Sequence, residues 1–336
     1  MCIRDSRNGE ILAEGPEPII LKDGFNDLRG AYLAAMKAHF PFHEIKLSDR
    51  FFKVPVYNSW IELTYYQTQK NILKYAKGIL ENGFPSGVLM IDDGWSPYYG
   101  RWQFRGDNFK DAKAMLKELH EMGFSVMLWI CPFITPDTLE FREARDKHFL
   151  IETPEGKPRI LEWWNGYSAA LDLTNPDAMK WLKDQLDVLT DMGVDGFRLD
   201  AVKEYVTGST EDNVEILSWF ADYVHGKDPE NYLVCECWTD QNTYAKYYES
   251  GIDSCFDFSF ADSTGTITSV LKNGSASSYG KALVNLQDNL SQYSDSYIDA
   301  PFYTNHDMAR GAGYYSGDDS EKQTKIAQAM NLLMSG

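Results

Sequence analysis

The sequence predicts an α/β fold, a (β/α)8 TIM barrel in which parallel strands alternate with helices. In the middle of the chain, four amphipathic helical segments are each followed by a short apolar strand. These strands are apolar along their whole length, as is typical of parallel strands covered on both faces. Four such units within 336 residues favour a barrel over a doubly wound sheet, and no G-x-G-x-x-G motif follows the first strand.

The helix–strand units follow one another in order. QKNILKYAKGILENGF precedes SGVLMIDDGW, FKDAKAMLKELHEMGF precedes SVMLWICPF, NPDAMKWLKDQLDVLTDMG precedes VDGFRLDAV, and NVEILSWFADYVHG precedes NYLVCECW. Gly83, Gly123 and Gly193 follow the first three helices, where a left-handed residue commonly ends a helix. The third helix is predicted to begin with Asn175 as its N-cap and Pro176 in its first turn.

Three regions are predicted along the chain. Residues 1–6, MCIRDS, resemble the translation of a transposon end used to prepare sequencing libraries, and we expect them to be an artefact. Residues 7–50 are weakly patterned and are interpreted as the remnant of an upstream β-domain or linker, in which GFNDLRGAYLAAMKAHF can hold a short helix. Residues 51–336 are expected to form the catalytic barrel, incomplete at its C-terminus.

Composition excludes some classes of partner. The net charge of −18 argues against binding to nucleic acid or to an anionic membrane, and no apolar run is long enough to span a bilayer. Nine Trp and 20 Tyr residues fit either a large core or a sugar-binding cleft. Five sparse cysteines argue against a disulfide framework. We predict no metal and no cofactor; the oligomeric state is left open, as is the location, with the cytoplasm slightly favoured.

The predicted strand ends carry carboxylates and aromatic rings, which a barrel brings together at one mouth. These residues are Asp92, Asp93, Trp95, Trp129, Asp200, Glu236 and Trp238. If the first of these strands stays regular, its side chains alternate, so only one of Asp92 and Asp93 faces the centre, and Asp93 is favoured. Trp163 and Trp164 fit either the core or a sugar-stacking role.

Asp200 and Glu236 are one βα unit apart, so they are expected on neighbouring strands. Two carboxyls that face a sugar are the minimum requirement for glycoside hydrolysis. Arg198 precedes Asp200 by two residues and points to the same side, which suits an ionised nucleophile. Glu236 lies between two cysteines, and an apolar setting raises a carboxyl pKa, which suits a general acid. The structural alternatives are a helix N-cap for Asp200 and a buried ion pair for Glu236; the later run APFYTNHDMAR, with Asp307, makes both less favoured.

GVDGFRLDAVKEY, VCECW and FYTNHD resemble, in order and spacing, three signature regions of the α-amylase family, glycoside hydrolase family 13. The resemblance covers residues 190–336 and implies Asp200 as nucleophile, Glu236 as acid/base and Asp307 as the carboxylate that stabilises the transition state. It implies that Arg198 and His306 bind the sugar. It also implies that the final helix, KIAQAMNLLMSG, precedes strand eight, so the barrel is expected to be truncated before that strand.

VPVYNSWIELTYYQTQ, GVLMIDDGW, VMLWICPF and WWNGYSAALDLTNPDA resemble glycoside hydrolase family 31 over residues 50–195. This resemblance also implies Asp200 as the nucleophile, whereas the usual family 31 acid/base is an Asp further on, whose context is not found here. The residues that it implies for the sugar site are Asp92, Asp93, Trp95, Trp129 and Trp164. Lys203 and Trp238 complete the candidate substrate-binding residues.

The two resemblances meet near Gly193, and one hypothesis is that the chain is a chimera joined there. The predicted function is retaining hydrolysis of α-glycosidic bonds in oligo- or polysaccharides through a covalent glycosyl-enzyme. The alternatives are a non-catalytic barrel that binds a carbohydrate or a protein, and an inactive chimeric or truncated fragment.

Overall fold

The computed structural model describes residues 24–39, 49–164 and 166–334. The chain divides into two compact units, Met1–Ile45 and Lys46–Gly336. In the first unit, the short helix expected from the sequence is present as α1 (Leu28–His39). The expectations for residues 1–23 and 40–48, including the proposed artefact, lie outside the described residues.

The second unit is built on a curled parallel sheet whose strands pair in the order in which they occur along the chain. Among the described residues, its seven strands are β1 (Val56–Asn58), β2 (Val88–Ile91), β3 (Ser125–Ile130), β7 (Gly196–Leu199), β8 (Tyr232–Cys235), β9 (Ser254–Asp257) and β10 (Ala300–Pro301). Three of these strands lie before Gly193 and four lie after it. A small antiparallel sheet, β4-β6-β5, is inserted after β3 and comprises β4 (Phe133–Ile134), β5 (Ile160–Trp163) and β6 (Gly166–Ala170).

Helices connect the strands and cover the outside of the sheet. In the second unit they are α2 (Asp49–Phe52), α3 (Trp60–Leu63), α4 (Gln69–Glu81), α5 (Ala112–Glu121), α6 (Leu139–Asp146), α7 (Pro176–Met192), α8 (Thr210–Lys227), α9 (Gln241–Ala245), α10 (Thr266–Asn273), α11 (Ala276–Leu290) and α12 (Ser320–Leu332). None of the helices in the described part of the chain is long and apolar enough to cross a membrane.

The helix ends follow the sequence signals. The Asn175 side chain accepts a hydrogen bond from the backbone N–H of Asp177, so the predicted N-cap of α7 is confirmed. Gly83, Gly123 and Gly193 have φ values of 80°, 86° and 111°, a left-handed region that favours glycine. Each glycine therefore lets the chain leave its helix and enter the next strand.

Alternation along the strands gives the sheet two buried faces. Leu89, Val126 and Leu128 pack outward against the helices. Val88, Met90, Met127 and Val234 pack inward, where Phe51 of α2 and Tyr232 pack with tilted rings whose centroids are 5.3 Å apart. On β7 and β8 the inward series continues toward the carboxyl ends of the strands, so Arg198, Asp200 and Glu236 follow the inward-facing residues. The inner face of the sheet is thus hydrophobic along the strands and charged at their carboxyl ends.

Candidate active site

A cavity of about 700 Å³ lies at the carboxyl ends of the parallel strands. It is lined by eleven of the twelve site residues expected from the sequence, namely Asp92, Asp93, Trp129, Trp164, Arg198, Asp200, Lys203, Glu236, Trp238, His306 and Asp307. These residues come from both sides of Gly193, and the sheet brings them together because all its strands end at one mouth.

Arg198 lies between the two central carboxyls. Its Nη1 donates to Oδ1 of Asp200 at 2.9 Å, and its Nη2 lies 3.0 Å from Oε2 of Glu236. All three side chains are buried. Burial lowers the pKa of Arg198, but the charges of Glu236 and Asp200 outweigh burial and raise the pKa above its usual value. One guanidinium therefore stays charged and fixes both carboxyls.

The backbone after β7 places Asp200 at the floor of the cavity. The N–H of Asp200 donates to the carbonyl of Ile130, which extends the pairing of β3 with β7 by one residue. The chain then turns sharply at Ala201, whose φ of 46° and ψ of 46° are left-handed and strained for a residue with a Cβ atom. The N–H of Val202 then bonds to the carbonyl of Glu236, which ties the two strand ends together.

Glu236 has a pKa raised to about 8. Burial raises it most; the charge of Arg198 opposes this, and the charge of Asp200, together with the hydrogen bond that the protonated Glu236 donates to it, raises the pKa further. Glu236 is therefore largely protonated at neutral pH. The protonated Glu236 can act as a general acid, while Asp200, which is bound to Arg198, can act as a nucleophile.

A second set of polar side chains surrounds His306. Its Nε2 lies 3.3 Å from Oδ2 of Asp307 and 3.8 Å from Oδ2 of Asp92. Asn58, at the end of β1, donates to Oδ2 of Asp92 at 2.6 Å and lies 3.4 Å from Nδ1 of His306. The Asp307 side chain is 40% exposed, so it lies at the rim and not at the floor.

Asp92 and Asp93 both line the cavity, which corrects the expectation that only one of them faces it. The physical reason is that β2 ends at Ile91, so strand alternation no longer applies to either residue. Oδ2 of Asp93 accepts a hydrogen bond of 2.7 Å from the hydroxyl of Tyr99. Burial raises the pKa of Asp93, and the hydrogen bond from Tyr99 lowers it in part.

Trp95 is not in the cavity, contrary to the expectation. Its ring is 1% exposed and packs on Phe104 at a centroid distance of 5.2 Å. Its indole N–H donates to the backbone carbonyl of Trp129. The left-handed turn at Gly94 (φ 89°) follows Asp93 directly, and Trp95 lies in the hydrophobic core beneath the site.

Aromatic rings form the walls of the cavity. Trp164 is 70% exposed, and its indole N–H lies 3.3 Å from Oδ2 of Asp200. Trp238 is 50% exposed and stacks on Phe258 at 4.5 Å with an interplanar angle of 12°. Trp163 also lines the cavity while its ring packs edge-on against Phe133, and a sugar-stacking role for it stays a prediction.

Sequence reasoning missed several residues of the site. Trp60, Tyr65, Tyr99 and Glu204 line the cavity, and Asn58 positions Asp92 from behind. Asn58, Trp60 and Tyr65 lie in the quoted segment VPVYNSWIELTYYQTQ, directly after β1, so position at a strand end was a signal for Asn58. Tyr99 lies in the loop after β2, and the path of that loop, which has no sequence signal, brings its hydroxyl to Asp93.

The comparisons with known proteins agree with this arrangement. The model of the glycosyl hydrolases family 31 TIM-barrel domain matches residues 56–258. The chain belongs to glycosyl hydrolase family 31. Its predicted TIM-barrel fold and the resemblance to family 31 are thereby confirmed.

Three similar proteins show how much of a longer protein this family 31 chain covers. It is 34% identical to the α-xylosidase XylQ of Lactiplantibacillus pentosus over 138 residues, which are 40% of this chain and 18% of that protein. It is 33% identical over 262 residues to the cyclomaltodextrin glucanotransferase of Geobacillus stearothermophilus, covering 69% of this chain and 35% of that protein. The structure of Eubacterium rectale Amy13B is similar with 30% identity and a TM-score of 0.71, covering 90% of this chain and 67% of Amy13B. The chain thus spans about a fifth of the length of the α-xylosidase that it matches.

The two resemblances found in the sequence extend further than expected. The family 31 match continues past Gly193 to residue 258, and the structural match to Amy13B covers nine-tenths of this chain. A junction at Gly193 is therefore not needed to explain why both resemblances occur. The chimera stays a hypothesis, and a continuous native gene across codons 150–240 would contradict it.

Proposed function

We propose that this chain forms the catalytic barrel of a retaining glycosidase that acts on α-glycosidic bonds of oligo- or polysaccharides. The observation that carries the proposal is the pair of carboxyls on Arg198. Asp200 and Glu236 are bound by one guanidinium and hydrogen-bonded to each other. Retaining enzymes keep their two carboxyls about 5–5.5 Å apart, whereas inverting enzymes need about 6.5–9.5 Å to admit a water molecule. Two carboxyls in direct contact favour retention.

In the first step, a carboxylate oxygen of Asp200 attacks the anomeric carbon while the glycosidic C–O bond breaks. Glu236, protonated at neutral pH because of its raised pKa, gives its proton to the departing oxygen. The product is a glycosyl ester of Asp200 and a free leaving sugar. Arg198 keeps Asp200 in place for the attack and neutralises part of the charge that would otherwise remain in the buried site.

In the second step, the Glu236 carboxylate takes a proton from water, and the resulting hydroxide attacks the same carbon. The ester bond to Asp200 breaks, which restores both carboxyls and releases a sugar with its original configuration. Asp307 and Asp92, held near His306, provide negative charge beside the cationic transition state. Trp164 and Trp238 offer flat rings against which a pyranose can stack.

The experiment follows the products of turnover by NMR. We expect the chain to release sugar from at least one member of a panel of aryl α-glucosides, α-xylosides and α-galactosides, with the α-anomer appearing first. Asp200→Ala should abolish turnover, and azide should rescue it by forming a β-glycosyl azide. First appearance of the β-anomer would contradict retention. A folded protein that binds saccharides without turnover would support the non-catalytic barrel instead.

Glu236 is tested separately from Asp200. Glu236→Gln should lower kcat/KM by about 10²–10⁴-fold on substrates with a sugar leaving group, because such a group needs a proton. The loss should be much smaller on a 2,4-dinitrophenyl glycoside, whose leaving group departs as an anion. Equal losses of kcat/KM on both substrates would show that Glu236 is not the general acid.

A further inference from the structure

Tyr99 holds the carboxyl of Asp93 from the loop that follows β2. Its hydroxyl donates to Oδ2 of Asp93 at 2.7 Å, and the backbone N–H of Gly94 donates to Oδ1 of Asp93 at 2.6 Å. An ionised carboxylate has about four lone-pair positions, two on each oxygen. One position on each oxygen of Asp93 is therefore left for a ligand in the cavity, which Asp93 and Tyr99 both line.

The backbone and the ring of Tyr99 are both fixed. Its N–H donates to Oγ1 of Thr135 at 3.2 Å, and its carbonyl accepts from the N–H of Thr135 at 2.9 Å. The ring is 7% exposed and packs against Trp129 with the centroids 5.5 Å apart. The next residue, Gly100, lies so close to Ile134 that an added Cβ would be 2.8 Å from its Cγ2. The hydroxyl of Tyr99 therefore has a defined position at the cavity wall.

This hydroxyl opposes an environment that favours the neutral form of Asp93. Burial raises the pKa of Asp93 most; the hydrogen bonds from Tyr99 and Gly94 lower it, and the charges of Asp92 and Asp200 raise it. Tyr99 itself stays protonated and able to donate, because burial and the charge of Asp93 raise its own pKa. The thiol of the buried Cys131 also acts on Tyr99 and raises its pKa in the same direction.

The cationic side chains of the cavity lie beside other carboxyls. These pairs are Arg198 with Asp200 and Glu236, His306 with Asp92 and Asp307, and Lys203 with Glu204. Within the part of the chain that the structure describes, no ion pair joins Asp93 to a cation. The hydroxyl of Tyr99 and the N–H of Gly94 are therefore the groups that stabilise the charge of Asp93.

We propose that Tyr99 is a positioning residue that keeps Asp93 ionised and in place, so that Asp93 accepts hydrogen bonds from two hydroxyls of the substrate. Two hydroxyls on adjacent carbons of a pyranose can donate to the two oxygens at once. A protonated Asp93 would carry a donor on one oxygen and would lose one of these hydrogen bonds. The sugar ligand rests on the proposed function, whereas the effect of Tyr99 on the charge of Asp93 does not.

The first test measures stability, which does not depend on turnover. Tyr99→Phe keeps the ring against Trp129 and removes only the hydroxyl, so the pKa of Asp93 in the folded state should rise further. A carboxyl whose folded pKa is raised loses stability as the pH increases. Urea unfolding should therefore show a larger loss in Tyr99→Phe at about pH 8 than at about pH 5. In an Asp93→Asn background, the loss should be the same at both pH values.

The matched control is Tyr223→Phe. Tyr223 is 8% exposed, and its hydroxyl donates to Oδ1 of Asp187 at 2.9 Å; neither residue lines the cavity. Burial raises the pKa of Asp187, but hydrogen bonds from Lys183, Lys227 and Tyr223 outweigh burial and lower the pKa to about 2. Asp187 is thus ionised at pH 5 and at pH 8. The loss of stability in Tyr223→Phe should therefore not change between them.

The second test measures the pH profile of kcat/KM on the aryl α-glycoside that the parent chain hydrolyses fastest. In Tyr99→Phe the acidic limb should move up by about one pH unit, because a hydrogen bond to a charged group is lost. kcat/KM should fall about tenfold at the acidic end of the profile and much less at about pH 8. Tyr223→Phe should leave the profile unchanged. In an Asp93→Asn background, Tyr99→Phe should lower kcat/KM little further.

A loss of stability in Tyr99→Phe that is equal at both pH values would overturn the proposal. An acidic limb that stays in place would also overturn it. Additive losses of kcat/KM in the double variant would do so as well, because Tyr99 would then act independently of Asp93. If the parent chain hydrolyses none of the glycosides, the proposed function fails. The unfolding comparison still decides whether Tyr99 keeps Asp93 ionised.

Discussion

Nη2 of Arg198 lies 3.0 Å from Oε2 of Glu236, yet the pKa of Glu236 is raised to about 8. A nearby cation alone would lower the pKa of a carboxyl. Burial and the second carboxyl, Asp200, outweigh that cation. The arginine is thus shared between two acids, and the shared cation leaves Glu236 able to hold a proton.

The first prediction concerns pH. Glu236 must be protonated to act as the acid, so kcat/KM for a substrate with a sugar leaving group should fall as the pH rises through about 8. The measurement is a pH profile of kcat/KM, and Glu236→Gln should lack this alkaline limb. A profile that stays flat to about pH 10 would contradict the assigned proton donor.

The second prediction concerns the stability that Arg198 provides. Arg198→Met leaves two buried carboxyls without their cation, which should lower the free energy of unfolding by about 3–5 kcal/mol at neutral pH. Urea unfolding measures the loss, and the control is Arg105→Met, whose exposed pair with Asp107 contributes little to stability. Equal effects of the two variants would contradict the prediction.

The third prediction concerns an ion pair at the opposite end of the strands. His120, at the end of α5, lies 2.8 Å from Asp195, which precedes β7 and also accepts from the N–H of Val126. The hydrogen bond with Asp195 raises the pKa of His120. The folded state therefore binds the proton more tightly, so this stability is complete below the unfolded pKa and is lost as the pH rises through the folded pKa.

The measurement for His120 compares the free energy of unfolding of His120→Ala with that of the parent at about pH 5.5 and about pH 8.5. The variant should lose more at the lower pH, by no more than about 1 kcal/mol, because the histidine is partly exposed. His148→Ala is the matched control, since His148 also contacts a carboxylate, Glu152, at 2.8 Å but is largely exposed. A difference between parent and His120→Ala that grows with pH would refute the prediction.

The fourth prediction separates the two tryptophans that the sequence treated alike. Trp164→Phe removes the N–H near Asp200 and should lower kcat/KM by about tenfold, with stability changed by less than about 0.5 kcal/mol. Trp95→Phe leaves the buried carbonyl of Trp129 without its donor and should lower stability by about 1–3 kcal/mol. Kinetics and urea unfolding of both variants test the distinction. Similar effects of the two substitutions on stability would show that the assignment of Trp95 to the core is wrong.

Much of the fold could be predicted because its signals are local. Periodicity along α7 places Met179, Leu182, Leu186 and Leu189 on one face, and all four are buried. The order of the βα units was indicated by glycine after the first three helices and by apolar strands that end in charged residues. The candidate residues at the carboxyl ends of β7 and β8 could be named because a parallel sheet brings its strand ends together.

Other parts of the site depend on contacts that no periodic signal indicates. Asn58 reaches His306 across most of the chain, whereas the hydroxyl of Tyr99 reaches Asp93 within one loop. Trp95 and Trp164 look alike as aromatic residues near strand ends, yet packing buries one and exposes the other. A sequence pattern gives the spacing of a side chain but not the direction of the loop that carries it.

By itself, the sequence determined the order of the strands, the helix ends, and the presence of Arg198, Asp200 and Glu236 at one end of the sheet, because hydrophobic periodicity and backbone preferences act over a few residues. Only the tertiary structure decided that one guanidinium binds both carboxyls and that Asp92 and Asp93 both face the cavity. These features arise from packing between segments far apart in the chain, where burial and the nearest charges set protonation.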